Sequence, residues 1–368
     1  MPSEATWRGS ATSTCLRDAE MASFHIDIPA LSRGLLDRSE DVRDPDSVAA
    51  AWPAAKIIPV DGEGRLPLAS TGDRVRLVFH DAARFGGAPP DGAVLLGSVE
   101  GTHYWALERD RISAATVTGS PPAASSPRVA PPAPPPETST GAPVPDITLG
   151  TIRTAAALLS EDEAALATTA VALLGWHAAA GFCSRCGAPM TPDSTGHSRS
   201  CPSGHQEFPR TDPAVIVLVH DGEGNAVLAR QPSWAPGRFS VLAGFAEAGE
   251  SLEGTVVREI GEEIGVRVRD VEYLGSQPWP FPRSLMIAFA ARAPAGAPLR
   301  PRPGEIEQAR WFSRDRLRAL LESGPGIGRE GRSVSASPAG VGDEAPAITL
   351  PDSVSIARRM VEGFVRAG

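Results

Sequence analysis

The chain has 368 residues, of which 42% are apolar, so it is long and apolar enough for roughly two or three domains with cores of their own. Its formal net charge of −9 argues against a surface that holds nucleic acid by general neutralisation of phosphates. The sequence has no apolar run of about eighteen residues, the length of a membrane span, and no apolar signal core at its N-terminus, so we expect a cytoplasmic protein with no membrane contact.

The N-terminal half, residues 21–177, predicts a small strand-rich domain preceded by a disordered tail at 1–20. Short alternating apolar runs such as Lys56–Val60 are separated by turn residues, which is typical of strands. Residues 116–146 are mostly Pro, Ala, Ser and Thr and cannot bury a core, so we expect a disordered loop there. An Ala- and Leu-rich stretch follows, in which Ser160 is a candidate start for the second helix of a hairpin.

Three of the four cysteines lie close together and predict a metal site. Cys183 and Cys186 form a CxxC turn, and a glycine after it lets the backbone fold back toward a metal. Cys201 and His205 complete a second turn. Three thiolates and one imidazole suit a closed, tetrahedral zinc site with a structural role. The rival fourth ligand is His197, which precedes Cys201 in a loop whose path the sequence does not define.

From residue 212 to the C-terminus the pattern becomes that of an α/β domain. Ala214–Val219 predicts a buried strand, and Ala226–Ala229 is expected to pair with it across a hairpin loop rich in Gly and Asp. Further elements follow in order: strands at Val268–Leu274, Ser284–Ala291 and Arg310–Phe312, a low-complexity insertion at 323–347, and a closing amphipathic helix at Ser355–Val365.

The segment Gly244–Val266 carries the chemistry. It reads as a loop followed by a helix on which Glu259, Glu262 and Glu263 share one face. A solvated acidic helix face is the ordinary explanation of such a run. The alternative is a site for Mg²⁺ or Mn²⁺, since carboxylates packed this closely repel one another and divalent cations would neutralise both them and the oxygens of a diphosphate.

The same segment matches the pattern G-x5-E-x7-R-E-U-x-E-E-x-G-U at every position. In this it resembles the Nudix signature of diphosphate hydrolases. The resemblance implies that Glu259 and Glu263 bind the catalytic metal, that Glu262 shares the site, and that Arg258 orients the carboxylates. We expect one of the glutamates to act as general base, and the sequence leaves open which one.

A metal site of this kind needs a further carboxylate from outside the helix. Glu305, in the segment GEIEQARWF, is the best candidate and Glu307 is the second. Both residues lie about forty residues after the helix, so we expect the fold to bring one of them close to it.

A second segment narrows the substrate. Ser276–Ser284 reads SQPWPFPRS and resembles the SQPWPFPxS array of the NADH pyrophosphatases among the Nudix proteins. Three prolines fix the backbone and hold Trp279 and Phe281 rigidly, which suits stacking on a flat base. The resemblance as a whole implies a set of substrate-binding residues: Phe208, Phe245, Gln277, Trp279, Phe281, Ser284, Met286 and Ala357.

The layout also resembles that of the NADH pyrophosphatase and NAD-capped RNA hydrolase family. It implies an α+β protein with a Nudix-like N-terminal domain, a zinc ribbon at 178–211 and, at 212–368, a Nudix domain folded as an α/β/α sandwich. The implied activity is hydrolysis of NADH or NAD⁺ to nicotinamide mononucleotide and AMP, with removal of NAD caps from RNA. The family also implies a homodimer in which Phe208 is donated across the interface.

Two features depart from the family pattern. The family has a CxxC…CxxC arrangement, whereas here the fourth cysteine is replaced and the spacing is longer. The two low-complexity insertions are also longer than a compact member needs. Two alternatives therefore stay open: a hydrolase of other nucleoside diphosphates such as ADP-ribose or diadenosine polyphosphates, and a non-catalytic zinc-ribbon protein that binds nucleotides or RNA.

Overall fold

The computed structural model describes residues 24–71, 74–112, 146–323 and 347–368. The tail predicted at 1–20 lies outside these ranges. So do the low-complexity segments predicted at 116–146 and 323–347, except for residues 146, 323 and 347 at their ends. The described chain is an α+β protein, as predicted. Among its described helices, none has the length and apolar content that a membrane crossing requires.

Two sheets form the N-terminal region. One has the order β4-β1-β6-β5 and the other the order β3-β2-β7. Most pairs are antiparallel, whereas β1 and β6 run parallel. The strands are β1 (Lys56–Val60), β2 (Arg65–Thr71), β3 (Arg74–Leu77), β4 (His80–Asp81), β5 (Val94–Val99), β6 (Thr102–Glu108) and β7 (Asp146–Thr151).

A long helix packs on this region and begins where the sequence predicts. The Ser160 side chain accepts a hydrogen bond from the backbone N–H of Glu163, and the Glu163 carboxylate returns to the Ser160 backbone, which is a capping box. Glu163 also accepts a bond of 3.1 Å from the N–H of Leu77, so the cap joins the helix to β3. The helices here are α1 (Glu40–Arg43), α2 (Pro45–Ala51), α3 (Ile152–Ala155) and α4 (Glu161–Ala179).

The cysteine-rich segment forms a small antiparallel sheet of β8 (Thr191–Pro192), β9 (Arg199–Ser200) and β10 (Gln206–Glu207). It docks on the edge of β5. The N–H of Leu95 donates to the carbonyl of Thr195 at 2.8 Å, and Nε2 of His197 lies 2.8 Å from the carbonyl of Leu95. One backbone hydrogen bond and one imidazole hydrogen bond therefore fix the ribbon against the N-terminal sheet.

The C-terminal region is built on one six-stranded sheet. Its order is β14-β15-β11-β12-β16, with β13 paired to β11. Strands β11 and β15 run parallel, and the pairs beside them are antiparallel. The strands are β11 (Asp212–His220), β12 (Asn225–Arg230), β13 (Leu242–Phe245), β14 (Arg269–Trp279), β15 (Ser284–Arg292) and β16 (Gln308–Ser313); the helices are α5 (Leu252–Ile264), α6 (Arg314–Ser323) and α7 (Ile356–Arg366).

Alternation along β11 gives this sheet two buried faces. Val215 and Val217 pack with Val256 of α5 on one face. Ile216 packs with Met360 of α7 on the other. Because successive strand residues point to opposite faces, a continuous apolar strand is what a sheet covered by helices on both sides requires. The predicted α/β/α sandwich is confirmed.

An N-terminal strap ties the two regions together. Phe24 is almost fully buried against α7, with its ring centroid 5.9 Å from that of Phe364. Asp27 forms an ion pair of 2.8 Å with Arg366. The hydroxyl of Ser32 then donates to the carbonyl of Ser276 on β14. The chain therefore crosses the C-terminal sandwich before it enters the N-terminal sheets.

Candidate active site

The predicted zinc ligands converge. One ligand atom from each of Cys183, Cys186, Cys201 and His205 lies within 4.8 Å of the other three. Sγ of Cys183 is 3.4 Å from Nδ1 of His205, and Sγ of Cys186 is 3.7 Å from Sγ of Cys201. This donor set fits structural zinc. His197, the alternative fourth ligand, lies instead on the carbonyl of Leu95.

Helix α5 is held in place by its ends and by its apolar stripe. The Ser251 hydroxyl accepts from the N–H of Gly254 at 3.1 Å and caps the first turn. Gly265 ends the helix in the left-handed conformation, at a φ of 70°. Between these ends Val256 and Ile260 are fully buried against the sheet. The acidic face is thereby directed along the edge of the core.

Strand β13 passes directly under one of the glutamates. A Cβ atom added to Gly244 would overlap the carboxylate of Glu259. Only a glycine leaves space for that carboxylate against the strand. The first glycine of the signature therefore has a steric role in seating Glu259.

Arg258 joins helix α5 to the loop that precedes it. Its Nε and Nη2 donate to the two oxygens of Glu250 at 2.8 and 2.9 Å, and Nη2 also donates to the carbonyl of Phe245 at 2.9 Å. Its Nη1 lies 3.0 Å from Oε1 of Glu259. The hydrogen bonds from Arg258 hold the pKa of Glu250 at about 2. The loop that carries Glu250 and Phe245 is thus fastened to the helix.

Two of the glutamates are buried, and the positive charge near them does not offset the effect of burial on their pKa values. Glu259 and Glu263 are 9% and 3% exposed. Burial, and then the charges of Glu259 and Glu305, raise the pKa of Glu263 to about 8. Its Oε2 has no hydrogen-bond partner within the described ranges. Burial also raises the pKa of Glu259, despite its contact with Arg258. An unpaired buried carboxylate beside two others fits a divalent cation.

Glu305, rather than Glu307, belongs to this group. The negative charge of Glu305 contributes to raising the pKa of both Glu259 and Glu263. Glu307 is bonded instead to the buried guanidinium of Arg230. Within the described part of the chain, the Cys/His cluster alone brings three or more ligand atoms within 4.8 Å, so the glutamates are spaced more widely than the zinc ligands.

Some predicted substrate residues lie across the sheet from the glutamates. Phe245 and Met286 both pair with Ala214, and Gln277 pairs with Met286. Residues directly opposite one another project to the same face, and Met286 packs on the α7 side. Phe245 is 58% exposed at the end of β13. Gly244 contacts Glu259 on the α5 side of the sheet, and the next residue, Phe245, faces the α7 side. The end of β13 therefore carries site residues toward both faces of the sheet.

The side chain of Gln277, a predicted substrate contact, is engaged within the protein, and its contact with substrate stays a prediction. Gln277 is 0% exposed. Its Nε2 donates to the carbonyl of Val354 at 2.8 Å, and its Oε1 accepts from the N–H of Ile356 at 2.7 Å. With both ends of its amide engaged, Gln277 anchors the start of α7 to β14.

The aromatic array is partly used in packing. Trp279 and Phe281 lie edge to face with centroids 5.2 Å apart and pack on the N-terminal core. The guanidinium carbon of Arg153 lies 5.8 Å from the Trp279 ring centroid. Ser284 pairs with Trp279 and is half-buried. The base-stacking role of these rings stays a prediction.

Two further predicted contacts lie apart from the glutamates. Phe208 is 64% exposed and lines a cleft beside the ribbon with Arg43 and His197. Ala357 is 2% exposed in the first turn of α7, and its N–H is bonded to the hydroxyl of Ser355. Ala357 therefore packs in the core, and its backbone contact with substrate stays a prediction.

A cavity of about 880 Å³ lies elsewhere, between α2, the end of α4 and the ribbon. Val48, Leu174, His177 and Arg199 are among its lining residues. The signature glutamates do not line this cavity, so it is separate from the candidate metal site.

Comparison with known proteins agrees with this geometry. The model of the NUDIX domain matches residues 210–329, and the model of the NADH pyrophosphatase zinc ribbon domain matches residues 178–207. A protein of Mycobacterium bovis (strain BCG / Pasteur 1173P2) named NAD-capped RNA hydrolase NudC is 42% identical over 340 residues, which are 92% of this chain and 95% of that protein. The chain belongs to the NudC family of Nudix proteins. A NudC protein of Deinococcus radiodurans is 49% identical over 152 residues, covering 40% of this chain and 54% of that protein.

Two arginines of this NudC-family chain, neither of them predicted, contact carboxylates that were candidates for the metal site, but only Arg302 contacts members of the site itself. Arg230 is 6% exposed and bonds both Glu307 and the carbonyl of Trp234. Arg302 contacts Glu262 and Glu305. The sequence offered a signal only for Arg302, which lies three residues before Glu305, whereas Arg230 is 77 residues from Glu307.

Proposed function

We propose that the chain hydrolyses the diphosphate of NADH and NAD⁺ to nicotinamide mononucleotide and AMP. Glu259, Glu263 and Glu305 would hold Mg²⁺ or Mn²⁺, with Glu262 at the rim of the same site. Bound cations of this kind neutralise diphosphate oxygens and lower the pKa of a water molecule. Water oxygen adds to one phosphorus, the bridging P–O bond breaks, and the water proton passes to a carboxylate.

The burial of Glu263 carries this proposal. A carboxylate that is 3% exposed, with an unpartnered oxygen and two neighbouring carboxylates, is costly in a protein that only binds nucleotides. A bound divalent cation would offset this free-energy cost by neutralising the carboxylates. The non-catalytic alternative leaves this cluster without an explanation.

The residues around the glutamates support the proposal because they hold the catalytic loop and the carboxylates in place for the substrate. Arg258 fixes Glu250 and the Phe245 carbonyl, so the loop before α5 stays in place. Gly244 leaves room for Glu259. The exposed ring of Phe245 then offers a surface for a base on the far side of the strand.

We extend the proposal to NAD-capped RNA, because similar proteins of high coverage are named NAD-capped RNA hydrolase NudC. The Cys/His cluster would hold structural zinc. We also propose a homodimer in which the exposed Phe208 of one protomer reaches the site of its partner, since in its own protomer it lies beside the ribbon.

Turnover with different substrates tests the proposal. NADH, NAD⁺, NAD-capped RNA, ADP-ribose and a diadenosine polyphosphate are compared at equal Mg²⁺ and Mn²⁺. We expect the NAD-derived substrates to have the highest kcat/KM. Preference for ADP-ribose or the diadenosine compound would favour the other hydrolase, and no turnover with any metal would favour the non-catalytic binder.

A further inference from the structure

The carboxylates of the candidate metal site are bracketed by two guanidinium groups with different attachments. Arg258 Nη1 is 3.5 Å from Oε2 of Glu262, and Arg302 Nη1 is also 3.5 Å from that oxygen. Arg302 Nη1 is likewise 3.5 Å from Oε2 of Glu305. A single guanidinium nitrogen of Arg302 therefore lies between a helix carboxylate and the carboxylate supplied by the loop.

The two arginines differ in how firmly they are held. The Arg258 side chain is 22% exposed and has several contacts between 2.8 and 3.0 Å. The Arg302 side chain is 52% exposed, and its ion pairs are both 3.5 Å long. Long, exposed ion pairs contribute little free energy and are readily exchanged for water or another ion. Arg302 is thus the weaker and more replaceable of the two.

The backbone of Arg302 is nevertheless fixed beside the site. Its N–H donates to the carbonyl of Glu263 at 2.8 Å. Its own carbonyl accepts from the N–H groups of Glu305 and Ile306 at 3.2 and 3.0 Å. The guanidinium can leave the carboxylates, but it cannot move far from them.

We propose that Arg302 is a displaceable counter-ion that competes with the divalent cation for Glu262 and Glu305 and so sets the metal affinity. The reason is that one carboxylate oxygen cannot give the same lone pairs to a guanidinium and to a metal ion. This inference rests on the proposed function for the statement that these carboxylates bind metal.

Arg302→Gln tests the proposal through binding rather than turnover. Mn²⁺ is titrated into the zinc-loaded full-length chain, freed of Mg²⁺ and Mn²⁺, and the free ion is followed by electron paramagnetic resonance. We expect Arg302→Gln to bind Mn²⁺ about two- to five-fold more tightly than the wild type. Arg302→Lys, which keeps the charge, should stay close to the wild type.

Arg300→Gln is the matched control. Arg300 is exposed on the same loop, and its side chain is absent from the ion pairs of the described residues. Its loss removes the same charge without removing a competitor, so Mn²⁺ affinity should be unchanged. Equal or weaker Mn²⁺ binding by Arg302→Gln, or equal tightening in Arg300→Gln, would overturn the inference and leave the proposed function intact. Failure of the wild type to bind Mn²⁺ would overturn both.

Discussion

The carboxylate of Glu259 lies against Gly244, so helix α5 and strand β13 meet at a point where no side chain fits. This contact joins the metal side of the sheet to the strand end that carries Phe245. It also explains why the signature begins with a glycine about fifteen residues before its central glutamate.

Gly244→Ala should move Glu259 away from its position. Because the new methyl group would overlap the carboxylate, we expect at least a ten-fold loss of kcat and weaker Mn²⁺ binding. Steady-state kinetics with NADH and a Mn²⁺ titration measure the two effects.

Gly261→Ala is the control for that substitution. Gly261 lies on the same helix, and a Cβ there would meet nothing within 4 Å. Since alanine has the higher helix propensity, we expect unchanged kinetics and a stability gain of up to about 1 kcal/mol. Wild-type kinetics in Gly244→Ala as well would contradict the steric role of Gly244.

Gln277→Leu should reduce stability and leave substrate binding alone. The substitution removes the partners of the Val354 carbonyl and the Ile356 N–H, both in the core. Leaving two such groups unsatisfied costs about 2–6 kcal/mol. Urea unfolding gives the stability, and KM for NADH is measured on the folded enzyme. An unchanged stability with a raised KM would instead support the substrate contact predicted from the sequence.

His205→Ala and His197→Ala should separate the two histidines of the ribbon. His205 lies at the sulfur cluster, so its loss should reduce the affinity for zinc at least ten-fold. His197 bonds to Leu95, so its loss should keep one zinc per chain while it loosens the ribbon from β5. Zinc content after dialysis against a weak chelator decides between them. Loss of zinc in His197→Ala alone would reverse the assignment.

Acid should weaken the contact between α4 and the ribbon through His177. Its Nε2 lies 2.8 Å from the Gly196 carbonyl, and its Nδ1 lies 3.0 Å from Nη1 of Arg199. Burial lowers the pKa of His177 below its ordinary value of 6.5. The unfolded chain therefore binds a proton first, so this contribution to stability is complete above pH 6.5 and is lost as the pH falls toward the folded pKa.

His177→Gln should make the fall in stability between pH 7 and pH 5 less steep. Glutamine can still bond to the Gly196 carbonyl but does not titrate. Other histidines with lowered pKa values, among them His103 and His220, keep part of the slope. Urea unfolding of both proteins over this pH range makes the comparison. Identical slopes would show that His177 does not contribute.

The sequence predicted those parts of the fold that depend on local pattern. The helix start at Ser160, the buried strand at Ala214–Val219 and the loop followed by a helix at Gly244–Val266 each follow from consecutive residues. The cysteine cluster of the ribbon followed from cysteine spacing, although the sequence left His205 and His197 open as the fourth member. In each case one short segment contains both the cause and the structure.

The remaining features depend on residues far apart in the chain. Gln277 was predicted as a substrate residue from the resemblance of Ser276–Ser284 to the family array, but its burial depends on α7, which begins 79 residues later. The packing of Phe24 on Phe364 and the position of Arg302 over Glu262 likewise require the tertiary fold. Spacing within a motif does not report which side of a sheet a residue faces, so the sequence did not show that Phe245, Gln277 and Met286 lie on the opposite face of the sheet from the glutamates.

The most direct test is the analysis of products from NADH incubated with the wild type and with Glu263→Gln in the presence of Mg²⁺ or Mn²⁺. We expect the wild type to give AMP and reduced nicotinamide mononucleotide in equal amounts. Glu263→Gln, folded as judged by circular dichroism, should lose at least a hundred-fold in rate. Other products from the wild type, or undiminished hydrolysis by Glu263→Gln, would contradict a metal-dependent NADH pyrophosphatase at this site.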